Sequence, residues 1–237
     1  PDTGTPPADS LGPTNAVGAT RFVAFGDSIT EGVLSSFDGA LLFTAAAGSD
    51  YPAQLDALLE QSFPSQDFTV DNHGVGGDEI GFALSSGRLN TVLSTRRPQA
   101  LLLLEGINDL NSGKTVTTVV GYLQQAVELA RVYNATVLLG TMFQTCVTTD
   151  PVSGRVRMNS YDRIVSFNNA LKAMAAGRQN VYVVDIYAAF GNNCGQDRGL
   201  NLLGGDGLHP SVSGYGVMAA TFGQAIRDRF PVRGSFQ

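Results

Sequence analysis

Ser28, Asp206 and His209 have the side chains and the sequence settings that nucleophilic catalysis requires. Ser28 stands in Phe25-Gly26-Asp27-Ser28-Ile29-Thr30-Glu31-Gly32, at the end of the apolar run Arg21-Phe22-Val23-Ala24-Phe25. A buried strand that stops at Gly-Asp-Ser holds the serine on a tight turn at the strand's carboxyl end. That is where open α/β sheets bind ligands. A serine hydroxyl is a weak nucleophile until a base takes its proton. The sequence offers two histidines, His73 and His209. His209 follows Asp206 in Gly205-Asp206-Gly207-Leu208-His209-Pro210. A carboxylate so placed can hold one ring nitrogen, present the other to Ser28 and stabilise the imidazolium that forms. Asp206 also suits the turn that Gly-Gly-Asp-Gly would make, and His73 reads as a packed loop histidine.

The scaffold that must carry these residues is legible in the hydrophobic pattern. Short apolar runs predict strands over Arg21–Phe25, Phe68–Asn72, Ala100–Glu105, Thr136–Gly140 and Val181–Asp185. Helix faces are predicted by Leu55, Leu58 and Leu59, by Tyr122, Leu123, Ala126, Val127 and Ala130, and by Phe167, Ala170, Leu171 and Met174. A last helix shows Tyr215, Met218, Ala219, Phe222 and Ile226, with Ser211 or Ser213 as its N-cap. Nearly continuous apolar strands that alternate with helices make a parallel sheet covered on both faces. The expected fold class is therefore α/β. It is a three-layer α/β/α sandwich with a five-stranded parallel sheet, flavodoxin-like in outline. Residues 21–237 are expected to form one domain, and the Pro- and Gly-containing residues 1–20 a linker or strap.

Four motifs, in order from Gly26 to His209, resemble those of the SGNH hydrolases, also called GDSL-type esterases and lipases. Gly26-Asp27-Ser28-Ile29 matches the nucleophile motif, with Ile in place of Leu. Asn72-His73-Gly74-Val75-Gly76-Gly77-Asp78 looks like the glycine motif, Gly106-Ile107-Asn108-Asp109 like Gly-x-Asn-Asp, and Asp206-Gly207-Leu208-His209 like Asp-x-x-His. The resemblance implies the SGNH hydrolase fold and a carboxylic ester hydrolase without metal or cofactor. Its catalytic residues would be Ser28, His209 and Asp206. The family's oxyanion-hole groups map to the Ser28 N–H, the Gly77 N–H and the Asn108 side chain, with Gly76 taking the place of Gly77 if the loop shifts. Such donors are worth roughly 3 kcal/mol each at the transition state. Asp27 and Asp109 each follow a strand and read as helix caps or partners of loop N–H groups.

Composition narrows the partners. A net charge of −6 gives no footprint for nucleic acid or an anionic membrane surface. No apolar run approaches the ~20 residues that span a bilayer. The expected partner is a small-molecule or glycan ester. The lack of Trp argues against a long sugar-stacking cleft, and Leu41-Leu42-Phe43 argues for an acyl pocket, plain core packing being its alternative. Long linkers over 33–50, 142–159 and 190–203 are candidate pocket walls. In the expected fold Cys146 and Cys194 fall in loops beyond one sheet edge. A disulfide there would close a separation of 48 residues. On the chain-entropy model such a bond adds about 4 kcal/mol. It goes with a secreted or periplasmic location, two unrelated thiols and a cytoplasmic location being the alternative. Asn134-Ala135-Thr136 is a glycosylation sequon, or a helix-ending left-handed Asn. Asn108 to Thr115 approaches a phosphate-binding loop but lacks its first glycine.

Overall fold

Five segments pair side by side in parallel: β1 (Arg21–Gly26), β4 (Thr69–Gly74), β5 (Ala100–Leu104), β6 (Thr136–Gly140) and β7 (Val181–Val184). They belong to a computed structural model that describes residues 16–35, 43–45, 47–145, 161–191 and 202–232. The strand order is β4-β1-β5-β6-β7. Numbered by sequence among the parallel strands this is 2-1-3-4-5, the flavodoxin-like order, whose switch point lies between β1 and β5. A short antiparallel ribbon of β2 (Val33–Ser35) and β3 (Phe43–Ala45) stands apart from the sheet.

Burial explains the assignments. Every residue of β5 is buried, as is all of β1 after Arg21, so both strands are central. Edge strand β4 is only partly covered. It starts one residue later than its apolar pattern predicts and runs on to Gly74, because pairing with β1 continues to Gly26 opposite Gly74.

The helices between the strands pack in two groups. Helix α2 (Tyr51–Ser62) packs on α9 (Val212–Arg229), and α6 (Val116–Val132) packs on α7 (Tyr161–Ala175) and α3 (Ile80–Ser85). Helix α4 (Arg88–Arg96) adjoins α3, and three short helices, α1 (Ser28–Glu31), α5 (Ile107–Asn111) and α8 (Ile186–Phe190), follow β1, β5 and β7. Ser211 caps α9 by accepting from the Gly214 N–H. Asn134 ends the turn after α6 at φ +57°. Residues 16–20 lie against the end of α9, where the Gly18 N–H donates to the Phe230 carbonyl and Val17 and Ala19 are buried.

No described helix is long and apolar enough to cross a membrane. Leu41, Leu42, Cys146 and Cys194 lie outside the described residues. In the segment that approached a phosphate loop, residues 107–111 are helical and the Lys114 ammonium pairs with Glu79 and lies 3.6 Å from Asp109 Oδ1.

Candidate active site

The carboxyl ends of β1, β4 and β5 open side by side, and each delivers one of the motifs. After β1 the chain turns straight into α1, with Ser28 as its first residue. Asp27 caps that helix by accepting the Ile29 N–H at 2.9 Å, as its position before a helix predicts. Gly26 makes the turn possible. A Cβ there would lie 2.0 Å from Thr30 Oγ1 and 2.4 Å from the Leu104 carbonyl oxygen, so no other residue fits without moving β5. Ser28 is left half-buried, facing the loop that precedes α9.

That loop brings Asp206 and His209 to Ser28. His209 Nε2 lies 2.8 Å from Ser28 Oγ, and His209 Nδ1 lies 2.6 Å from Asp206 Oδ2. An ionised carboxylate can only accept, so the ring proton belongs on Nδ1 and Nε2 is left to accept from the serine hydroxyl. Asp206 is 1% exposed and His209 7% exposed. Burial alone would push the Asp206 carboxyl up. The hydrogen bond and charge of His209, with the N–H groups of Leu208 and His209, outweigh it and hold the carboxyl at about 2. The acid therefore stays ionised beside the imidazole throughout the neutral range.

On the other side of Ser28 stand the glycine loop and α5. Gly77 adopts φ +74°, which a side chain would resist, whereas a Cβ on Gly76 would meet the Glu31 carboxylate at 2.9 Å. Asn108 Nδ2 donates to the Asp78 carbonyl at 2.9 Å, tying α5 to the residue next to Gly77. Asp109 accepts the Ile80 N–H at 2.9 Å, so it holds the start of α3, the part expected of it. His73 is half-buried in β4. Its ring is held below the usual imidazole range by burial and by Arg96 and Arg88.

Beneath these loops lies a group that the sequence reading did not single out. Arg88, the first residue of α4, donates to the His73 carbonyl at 2.8 Å and the Gly26 carbonyl at 3.3 Å. Its guanidinium also pairs with Asp78, lies 3.5 Å from Glu105 and stacks 3.8 Å from the centre of the Phe25 ring. One side chain thus gathers the ends of β1, β4 and β5. Around it are buried carboxyls. Burial pushes Asp27 up to about 7, the N–H of Ile29 and the charge of His209 opposing. Burial, with the charges of Asp27 and Asp78, pushes Glu105 well above the usual carboxylate range.

A serine, a histidine and an aspartate in hydrogen-bonded series at a flavodoxin-like switch point suit acyl transfer. The sequence profile of the GDSL-like Lipase/Acylhydrolase family matches residues 24–217. The chain belongs to that family. Its similarity extends to solved GDSL structures. The lipase/acylhydrolase of Enterococcus faecalis is 25% identical with a TM-score of 0.69, over 90% of this chain and 98% of that one. A lipolytic G-D-S-L protein from Veillonella parvula is 24% identical with a TM-score of 0.66, over 90% of this chain and 100% of that one. A sequence search of curated proteins found no match. Seen as a GDSL hydrolase, the chain keeps its motif residues at one sheet edge. The supports that pattern reading missed, Arg88 and Glu105, lie in an irregular α3–α4 stretch and at a strand end, where apolar periodicity carries no signal.

Proposed function

We propose that the protein is a serine esterase that hydrolyses carboxylic esters through an acyl-enzyme. The observation that carries this reading is the unbroken series from Ser28 Oγ to His209 Nε2 at 2.8 Å and from His209 Nδ1 to Asp206 Oδ2 at 2.6 Å. Ser28 Oγ attacks the ester carbonyl as His209 Nε2 takes its proton. The same nitrogen then protonates the leaving alcohol. Water enters, gives its proton to His209 and attacks the acyl-enzyme; the acid departs and Ser28 recovers its proton. The Ser28 and Gly77 N–H groups and the Asn108 amide receive the oxyanion. The half-buried serine, open at the sheet edge, suits short-chain acyl or acetyl esters.

The test is a serine-directed fluorophosphonate together with p-nitrophenyl esters of increasing chain length. The reagent should label Ser28, and Ser28→Ala should lose labelling and about 10⁶ in kcat while remaining folded. Turnover in the variant above a tenth of wild type would overturn the reading. Absent labelling would instead favour a non-catalytic carbohydrate-binding relative. A preference for long acyl chains or thioesters would move the substrate to lysophospholipids or thioesters. This reading includes a Cys146–Cys194 disulfide in a secreted or periplasmic enzyme. Two alkylated cysteines in the mass spectrum of the non-reduced protein would remove that part.

A further inference from the structure

Asp206 is held by more than its own turn. Its Oδ1 accepts the N–H groups of Leu208 and His209, both at 3.0 Å and both local to the loop. It also accepts the hydroxyl of Ser35 at 2.9 Å, from a residue 171 positions away. The bond is returned, because the Asp206 N–H donates to Ser35 Oγ at 3.2 Å. Ser35 is 9% exposed, at the end of β2. The loop is shaped around it, since a Cβ on Gly204 would sit 2.3 Å from Ser35 Oγ. The strand is anchored from the other side too, as the Tyr215 hydroxyl of α9 donates to the Val33 carbonyl at 2.7 Å.

The consequence is geometric. Ser28 and Ser35 ride one short stretch of chain, α1 followed directly by β2. Asp206 and His209 ride one loop. Ser28 to His209 and Ser35 to Asp206 are therefore two rungs between the same two segments, and the second fixes the register of the first. It also keeps the two carboxylate oxygens distinct. Turning the Asp206 carboxylate would break the bonds on Oδ1 from Ser35, Leu208 and His209 in order to release Oδ2 from the imidazole. Hydrogen bonds to a charged acceptor are the stronger kind.

We infer that Ser35 is a positioning residue for the acid–base pair, holding Asp206 so that His209 is aimed at Ser28. This rests on the esterase reading for its kinetic consequence, but not for its spectroscopic one. Ser35→Ala should lower kcat about tenfold with KM changed less than about twofold, because a bond to a charged group is lost from the catalytic geometry and not from substrate binding. The low-field Nδ1 proton resonance of His209 should broaden in the variant as solvent exchange accelerates. Ser35→Cys, whose thiol is a weaker donor, should fall between Ala and wild type in both readouts. It serves alone if the Ala variant does not fold.

The proposal is overturned if kcat and the resonance are both unchanged. It is overturned equally if kcat falls while the resonance keeps its position and width, since Ser35 would then act through loop packing alone. Fluorophosphonate labelling of wild-type Ser28 separates the two readings. A protein that is not labelled refutes the esterase, while the His209 resonance in Ser35→Ala still decides whether Ser35 holds the pair.

Discussion

Asn108 occupies the position where a strand end, a helix start and the glycine loop meet, and its amide has two protons to give. One goes to the Asp78 carbonyl at 2.9 Å, which fixes the plane of the amide. Under the proposed esterase reading the other would serve the oxyanion, from a group already oriented and therefore costing little reorganisation when charge develops. Asn108→Ala should lower kcat by about 10²–10³ with a much smaller change in KM, because the donor serves the transition state more than the ground state. Steady-state kinetics on a p-nitrophenyl ester checks it. A raised KM with kcat intact would make Asn108 a substrate-binding residue instead. This residue was legible in the sequence because its type and its place after an apolar strand both pointed to the same sheet edge. Ser35 was not, since it lies in a linker without periodicity and its partner is 171 residues distant.

At the scale of elements, three strand ends are held in register by an arginine from a helix that the sequence pattern left out. Helices α3 and α4 are short, and Ser86-Gly87 separates them, so their apolar residues fill no long 3.6-residue stripe. Strands β1, β5 and β6 and the long helices α2, α6, α7 and α9 were legible because their burial is nearly continuous or strongly one-sided, whereas edge strands β4 and β7 are only partly buried. Arg88 acts where those strands end. Its guanidinium reaches Gly26, His73, Asp78 and Glu105 at once, which the fork of an arginine permits and a single ammonium does not. Arg88→Ala should cost about 3 kcal/mol, because it strips the partner from the buried Asp78 carboxyl. Arg88→Lys should recover part of the stability but less of kcat, since the Gly77 loop would keep a charge and lose its fixed geometry. Denaturant melts and kcat measured on both variants check this. Equal recovery of the two would mean that Arg88 contributes charge alone.

For the whole molecule the same site sets how stability varies with pH. Asp206 lies below the usual carboxylate range, at about 2. Its contribution is complete above the unfolded value near 4 and is lost as pH falls toward 2. Asp27 works in the opposite direction. Its folded value is about 7, raised first by burial, so between pH 4 and 7 the folded chain holds a proton that the unfolded chain has released. Stability must therefore fall as pH rises through that window. Glu105 adds to the fall, because burial and the charge of Asp27 raise it as well. Asp27→Asn keeps an oxygen to accept the Ile29 N–H and removes the titrating group, relieving Glu105 of a neighbouring charge at the same time. The variant should match wild type near pH 4 and gain on it progressively up to about pH 7, by at most about 4 kcal/mol for a shift of this size. Chemical unfolding of both proteins at a series of pH values measures the difference. A constant offset from pH 4 to 8 would mean that Asp27 ionises in place, and that the proton does not reside on the residue beside Ser28.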